Sequence, residues 1–279
     1  MERTILITGT NSGIGLETAK TFLLGGYFVF AGVRDLDRGN NLLSFAREKS
    51  KLNQLNLVGL DVNSEASVNE AVSQIKSKTK ALDVVVNNAG FGVIGALEDV
   101  STEELKSQFE TNFFGVHRVT RAILPLFKTQ KQGILVNISS MAGKITFPFW
   151  GAYTASKFAL ESYTESLRME LGQWGIRVYL VEPGLIESNF HGTGLKLPKE
   201  WKNSTSGYKS LYEKYARSPT AMAFGGRSNP QVVANKIWQL VKTKPGKFRH
   251  PVGKFAKLAT FARWLLPDEV FLPLISKFR

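Results

Sequence analysis

Tyr153 and Lys157 stand four residues apart in the run Tyr153-Thr154-Ala155-Ser156-Lys157. On a helix that spacing projects both side chains from one face, about one turn apart. An ammonium held beside a phenol favours the phenolate, and so lowers the tyrosine pKa from roughly 10 toward working pH. Such a pair gives and takes a proton at a carbonyl or alcohol oxygen. Alone, Tyr-x-x-x-Lys also describes an ordinary solvated helix face. Three other features turn the reading toward chemistry.

The first is a strand, a glycine-rich turn and a helix in succession. Thr4-Ile5-Leu6-Ile7-Thr8 is β-branched and apolar, Gly9-Thr10-Asn11-Ser12-Gly13-Ile14-Gly15 follows at once, and Leu16 to Leu24 reads as a helix. Gly9 permits the tight turn, Gly13 lets backbone approach a pyrophosphate, and Gly15 allows close helix packing. The spacing is G-x-x-x-G-x-G, which differs from the commoner dinucleotide fingerprint. The second feature is Asn87-Asn88-Ala89-Gly90 after the apolar run Leu82 to Val86, small and amide residues at a strand's C-terminal end. A plain turn has the same composition. The third is Ile134 to Ser140, a strand ending in two hydroxyls, with Ser140 thirteen residues before Tyr153. Serine pairs at strand ends are usually turn formers, but here one can reach the reacting oxygen.

With these motifs in this order, the chain resembles the short-chain dehydrogenase/reductase family in its single-domain form, over roughly residues 3 to 190. The resemblance implies an active site of Asn112, Ser140, Tyr153 and Lys157, with Ser139 the lesser candidate for the serine. Ser140 and Tyr153 would meet the substrate. It further implies dinucleotide contacts from Gly9, Asn11, Ser12, Gly13, Ile14 and Gly15, from Asp61 and Val62, and from Asn88, Ala89 and Gly90. Tyr153 and Lys157 would also touch the cofactor, and Pro183, Gly184, Ile186 and Ser188 would complete its site. The family commonly has a threonine after its Pro-Gly turn; this chain has Glu187-Ser188, which keeps a hydroxyl. No metal ligand is assigned.

The second strand bears on the cofactor. Tyr27 to Val33 ends in Arg34 where a carboxylate would select the 2′-hydroxyl of NAD. A guanidinium there suits a 2′-phosphate, with Arg38 as a second charge, so NADP(H) is favoured over NAD(H). Asp35 and Asp37 oppose this if either turns inward.

In the direction of reduction, these assignments imply that the nicotinamide would deliver hydride to a carbonyl carbon while Tyr153 protonates the oxygen and Ser140 holds it. Lys157 would tune Tyr153 and hydrogen-bond the nicotinamide ribose. By the resemblance, Asn112 holds a water in a relay through Lys157. Direction is not set by the sequence.

A chain of 279 residues with 43% hydrophobic content buries one substantial core. Strands near 3–8, 27–33, 56–61, 83–87, 133–139 and 176–182 alternate with helical stretches, which argues for an α/β fold with a Rossmann-like, doubly wound parallel sheet. One domain is expected over 1–279: a dinucleotide-binding and catalytic core at 1–189, a substrate-covering segment at 190–230, and a basic, helical C-terminal extension at 231–279. Cysteine is absent, the N-terminus enters the first strand without a signal peptide, and no apolar run is long enough to span a membrane. A cytoplasmic protein fits these features, with peripheral contact to membrane as a further reading.

Charge is unevenly placed. Residues 1–189 hold 19 Lys and Arg against 19 Asp and Glu, whereas 190–279 hold 17 against 4, the whole net charge of +13. Three readings compete: a solvated surface, contact with anionic lipid through Phe261, Trp264 and Leu265, or an anionic substrate or carrier. The lipid-facing stripe is interrupted at Pro267-Asp268-Glu269. No nucleic-acid motif accompanies the charge. Phe91, Phe149, Trp150, Trp201, Tyr208, Tyr212 and Phe224 either pack or line a greasy cleft, and the lean is toward a hydrophobic ketone, aldehyde or alcohol. By resemblance a homo-oligomer is expected, through helices near 102–127 and 153–172. Two rival readings stand beside the oxidoreductase: a non-catalytic dinucleotide sensor or scaffold, and a membrane-surface interaction protein acting through 231–279.

Overall fold

The computed structural model describes residues 2–187, 194–217 and 226–277. At its centre is a parallel sheet of seven strands. In chain order these are β1 (Thr4–Thr8), β2 (Phe28–Val33), β3 (Leu55–Gly59), β4 (Val84–Asn87), β6 (Gly133–Ile138), β7 (Ile176–Pro183) and β9 (Arg249–Val252). Their spatial order is β3-β2-β1-β4-β6-β7-β9, and every pair is parallel. A second, two-residue pair joins β5 (Gly92–Val93) to β8 (Leu195–Lys196).

Alternate strand residues serve opposite faces, as the period of two requires. Ile5, Ile7, Val29, Ala31, Val84 and Val86 pack under α1 (Gly13–Leu24), α2 (Asn40–Glu48) and α8 (Gln231–Lys242). Leu6, Phe30, Val85, Leu135 and Val178 pack under α3 (Glu65–Lys78), α5 (Gly115–Gln130) and α6 (Gly151–Leu171). Parallel strands must be covered on both faces, and these are. The six expected strands and the Rossmann-like doubly wound architecture are therefore present.

Helix starts are written locally. Ser64 caps α3, and Ser101 with Glu104 forms a capping box at α4 (Thr102–Phe109). Between α4 and α5 the chain passes through a π-helical turn, Glu110–Phe114, which carries Asn112.

Two features depart from the sequence expectation. The sheet has a seventh strand, β9, whose Arg-His-Pro-Val sequence lacks strand alternation; its proline is tolerated because β9 lies at the sheet edge. And Pro267-Asp268-Glu269 not only interrupts the helical stretch before it, as expected, but also starts a second helix. Pro267 precedes α10 (Asp268–Ser276), whose acidic first turn suits a helix N-terminus, and α9 (Ala256–Leu265) comes just before.

Candidate active site

The C-terminal ends of β1, β4, β6 and β7 open into one cavity of roughly 700 Å³. Its position beside β1 and β4, where strand order reverses, is where an open parallel sheet receives a ligand.

The glycine-rich turn forms one side. Gly9 has φ +72°, and a Cβ there would lie 3.0 Å from the Ala89 Cα; one at Gly15 would lie 2.2 Å from the Gly9 carbonyl oxygen. Any side chain at Gly15 would push α1 off the turn. Asn88 braces the same turn: its amide donates to the Thr8 and Gly9 carbonyls at 2.9 and 3.1 Å, while the Asn88 and Ala89 N–H groups donate to the Thr8 hydroxyl. Ser12 stands at the N-cap of α1 without a side-chain cap hydrogen bond, and the first turn holds no acidic residue. The open N–H groups there are fit to receive a phosphate. Gly9, Asn11, Ser12, Gly13 and Ile14 line the cavity; Gly15, as the packing role requires, does not.

Arg34 and Arg38 line the next stretch, as do Asp61 and Val62 from just past the neighbouring strand's end. Asp35 does not turn inward, because its carboxylate caps its own turn, accepting from the Asp37 N–H at 3.1 Å. Neither Asp35 nor Asp37 is part of the cavity wall. No salt bridge engages Arg34 or Arg38 among the described residues.

The chemical end brings Ser140, Tyr153 and Lys157 to one wall. Ser140, rather than Ser139, hydrogen-bonds the Tyr153 phenol; Ser139 sits beside the Glu161 carboxyl. The Ser140 oxygen also accepts from the Ala142 N–H at 3.1 Å, which fixes its direction. Lys157 Nζ donates to the Ile138 carbonyl at 2.9 Å and lies 5.8 Å from the Tyr153 ring centroid.

One expectation changes here. Burial, only partly offset by the Ser140 hydrogen bond, pushes the Tyr153 phenol up to about 12. The same burial draws Lys157 down to about 8 against the pull of Glu161. Desolvation penalises the charged form of both groups, so the phenol is not lowered. Tyr153 holds its proton at neutral pH.

Asn112 lies behind this wall, fully buried. Its amide donates to the Phe91 carbonyl at 2.9 Å and to the Ser156 hydroxyl at 3.2 Å, and its oxygen accepts from the Phe91 N–H at 3.1 Å. Asn88, Ala89 and Gly90 line the cavity, as do Pro183, Gly184 and Ile186, while Ser188 lies outside the described residues.

The aromatic expectation is met in part. Phe91 and Trp150 line the cavity. Phe149 instead packs edge-on against Tyr208, and Trp201 packs tilted against Tyr212. Tyr212 donates to Asp99 at 2.5 Å, and the Ser204 and Ser206 hydroxyls also donate to Asp99. Burial alone would raise the Asp99 carboxyl, but these three donors hold it below its usual value. Phe224 lies outside the described residues. In place of the missing aromatics, the apolar end is walled by Met141, Phe147, Leu185, Phe255, Ala259 and Ile275, the last three from the C-terminal region.

Sequence reasoning also missed a polar cluster behind Lys157. Glu161 and Glu182 are almost fully buried, and Arg249 of β9 reaches Glu161, Glu165 and Glu182 at 3.0, 2.9 and 3.4 Å. Glu161 follows Lys157 by one helical turn, a signal present in the sequence.

A family model for the short chain dehydrogenases matches residues 3–195. The chain belongs to that family. Among its short-chain dehydrogenase relatives is the uncharacterized oxidoreductase YusZ of Bacillus subtilis, 34% identical over 98% of this chain and 96% of that protein. The 3-ketodihydrosphingosine reductase of Bacteroides thetaiotaomicron is 33% identical, over 95% of this chain and 94% of the other. Human retinol dehydrogenase 8 is 37% identical, over 92% and 84%. A short-chain dehydrogenase structure from Streptomyces avermitilis superposes with a TM-score of 0.82, 28% identity and coverage of 98% and 95%. ElxO with NADP bound gives 0.73, 25%, and 90% and 96%. The protein is thus an NAD(P)-dependent oxidoreductase of the short-chain dehydrogenase/reductase type.

Proposed function

We propose that this enzyme uses NADP(H) to interconvert a hydrophobic ketone or aldehyde and its alcohol, with Tyr153 as proton donor and acceptor. One observation carries the reading: a single cavity runs from the glycine-rich turn and two arginines that make no salt bridge among the described residues to Ser140, Tyr153 and an apolar end. A bound nicotinamide dinucleotide supplies or accepts the hydride. Around it, the α1 N-terminus takes the pyrophosphate, Arg34 and Arg38 take the 2′-phosphate, and Asp61 and Val62 border the adenine. The ElxO neighbour, which binds NADP, supports that choice.

Ser140 donates to the substrate oxygen as negative charge develops, and Tyr153 gives its proton there. A phenol that keeps its proton at neutral pH suits reduction. Lys157 holds a positive charge beside the phenolate that remains. Asn112 fixes the backbone at Phe91 and holds the Ser156 hydroxyl, next in the chain to Lys157. The ketosphingoid and retinoid named for two relatives are both lipids, which fits the wall of Met141, Phe147, Leu185 and Ile275.

The remaining readings follow from the same frame. The chain works as one domain, with residues of 190–230 covering the substrate, held by the Asp99 clasp. A homo-oligomer forms through α5 and α6, where Phe114, Phe158 and Met169 near and on these helices are exposed. No described helix is long and apolar enough to cross a membrane, and our reading is of a cytoplasmic protein in peripheral contact with anionic membrane.

Fluorescence titration with NADPH and NADH tests the cofactor, with Arg34→Ala beside the wild type. NADPH preference that collapses in the variant is expected; NADH preference in the wild type overturns the assignment. Apolar ketones are then screened for NADPH oxidation, and failure of every such ketone alongside turnover of polar ones removes the substrate class.

A further inference from the structure

Helix α9 is built inside out. Its inner side carries Ala256, Ala259 and Ala262, which pack on the body, while Leu258, Phe261, Trp264 and Leu265 are 68%, 56%, 78% and 59% exposed. A helix held only by its own protein does the reverse and turns its large apolar side chains to the core. Helix α10 continues the pattern: Phe271 is buried and Ile275 packs inward, whereas Val270, Leu272 and Leu274 are about half exposed. Arg263 clasps the two helices, pairing with Asp268 at 2.5 Å and lying over the Phe271 ring. Isolated exposed apolar residues need no explanation, but seven on two clasped helices mark an interaction surface.

Charge decides what the surface meets. Over 254–277 the helices carry Lys254, Lys257, Arg263 and Lys277 against Asp268 and Glu269, and of these cations Lys254, Lys257 and Lys277 make no salt bridge among the described residues. A symmetric pairing with a second copy would set this basic surface against itself. An anionic bilayer complements it, with acyl chains for the apolar residues and headgroups for the lysines. The same helices turn Phe255, Ala259 and Ile275 to the cavity, so the surface and the apolar end of the site share one wall.

We propose that α9 and α10 together dock on an anionic phospholipid bilayer and deliver apolar substrate from it to the cavity. The delivery half rests on the oxidoreductase reading above; the docking half does not.

The test is sedimentation with vesicles of phosphatidylcholine alone and with about 30% phosphatidylserine, at low and high salt. Binding to the mixed vesicles at low salt, weakened by salt, is expected. Leu258→Ser/Phe261→Ser/Trp264→Ser is expected to lower partitioning by roughly a hundredfold or more while NADPH binding and turnover of a small soluble ketone are kept, which shows the variant folded. Trp264→Phe should retain binding but lose most of the blue shift in tryptophan emission on adding vesicles. No sedimentation at low salt, or sedimentation unchanged in the triple variant, overturns the proposal. So does a wild-type dimer that becomes monomeric in the triple variant without vesicle binding, since the face then belongs to a second copy. Vesicle binding without NADPH binding would sink the enzymatic reading and delivery, and leave docking standing.

Discussion

The first 187 residues and the last described stretch, 226–277, use apolar side chains in opposite ways. In the first, strands such as β1 and β4 are buried at every position, and acidic and basic residues balance. In the second, α9 and α10 turn leucines, a phenylalanine and a tryptophan outward under a strong positive excess. Yet the second is not an appendage. It supplies the edge strand β9, the cavity residues Phe255, Ala259 and Ile275, and the arginine that meets two buried glutamates. A region can therefore complete an active site with one side and remain free to meet a partner with the other.

The largest effects should arise where the balanced region does its chemistry. Tyr153→Phe removes the proton and keeps the ring, so turnover should fall by about 10²–10⁴-fold with NADPH binding kept. Steady-state rates beside a binding titration check this, and near-normal turnover would break the assignment. Arg34→Ala comes next, since a charge-assisted contact to a phosphate contributes about 1.5–3 kcal/mol. The preference for NADPH over NADH should shrink by roughly ten- to a hundredfold, read from the ratio of dissociation constants. An unchanged ratio would leave Arg38 as the discriminating charge.

How much of this was legible in the sequence follows the same divide. The glycine-rich turn, the Tyr-Lys pair and six strands are local patterns, and the structure places all of them around one cavity. The inward or outward turn of Asp35 was open in the sequence because it depends on a single side-chain cap. Strand β9 was hidden because an edge strand containing Pro251 lacks alternation. Its Arg249 is 67 residues from Glu182 in the chain, and only the sheet brings them together. The outward face of α9 was half legible: its spacing showed a stripe, but only packing showed that the alanines, not the leucines, face the body. The effect of burial on Tyr153 and Lys157 belongs to three dimensions alone.

The seam between the two regions is tested by Gly184→Ala. A Cβ at Gly184 would lie 2.0 Å from the Lys254 carbonyl oxygen and 3.0 Å from the Ala256 nitrogen. These are backbone atoms at the entry to α9 and cannot rotate away. The C-terminal segment must shift, at a cost of about 1–3 kcal/mol, read as a lower urea midpoint. Because Phe255 and Ala259 move with that segment, the Michaelis constant for an apolar ketone should rise more than that for a small soluble one. Equal rises would mean that the two regions are less closely joined than the contact implies.

The subtlest test is electrostatic and lies at the same seam. Burial, and then the charge of Glu161, push the Glu182 carboxyl up to about 7 against the pull of Arg249 and Lys144. A carboxyl raised on folding keeps a proton that the unfolded chain releases above its ordinary value of 4.5. Its contribution to stability is therefore greatest below that value, falls as pH rises toward about 7, and is level beyond. Carboxyls lowered on folding, such as Asp99, act with the opposite sign and in a more acidic window. Urea midpoints measured between pH 5 and 8 should decline for the wild type and flatten in Glu182→Gln, which keeps the shape and cannot ionise. If the decline persists in the variant, Glu161 carries the titration, and Arg249 then holds the extension to the core mainly through α6 rather than through the neighbouring strand.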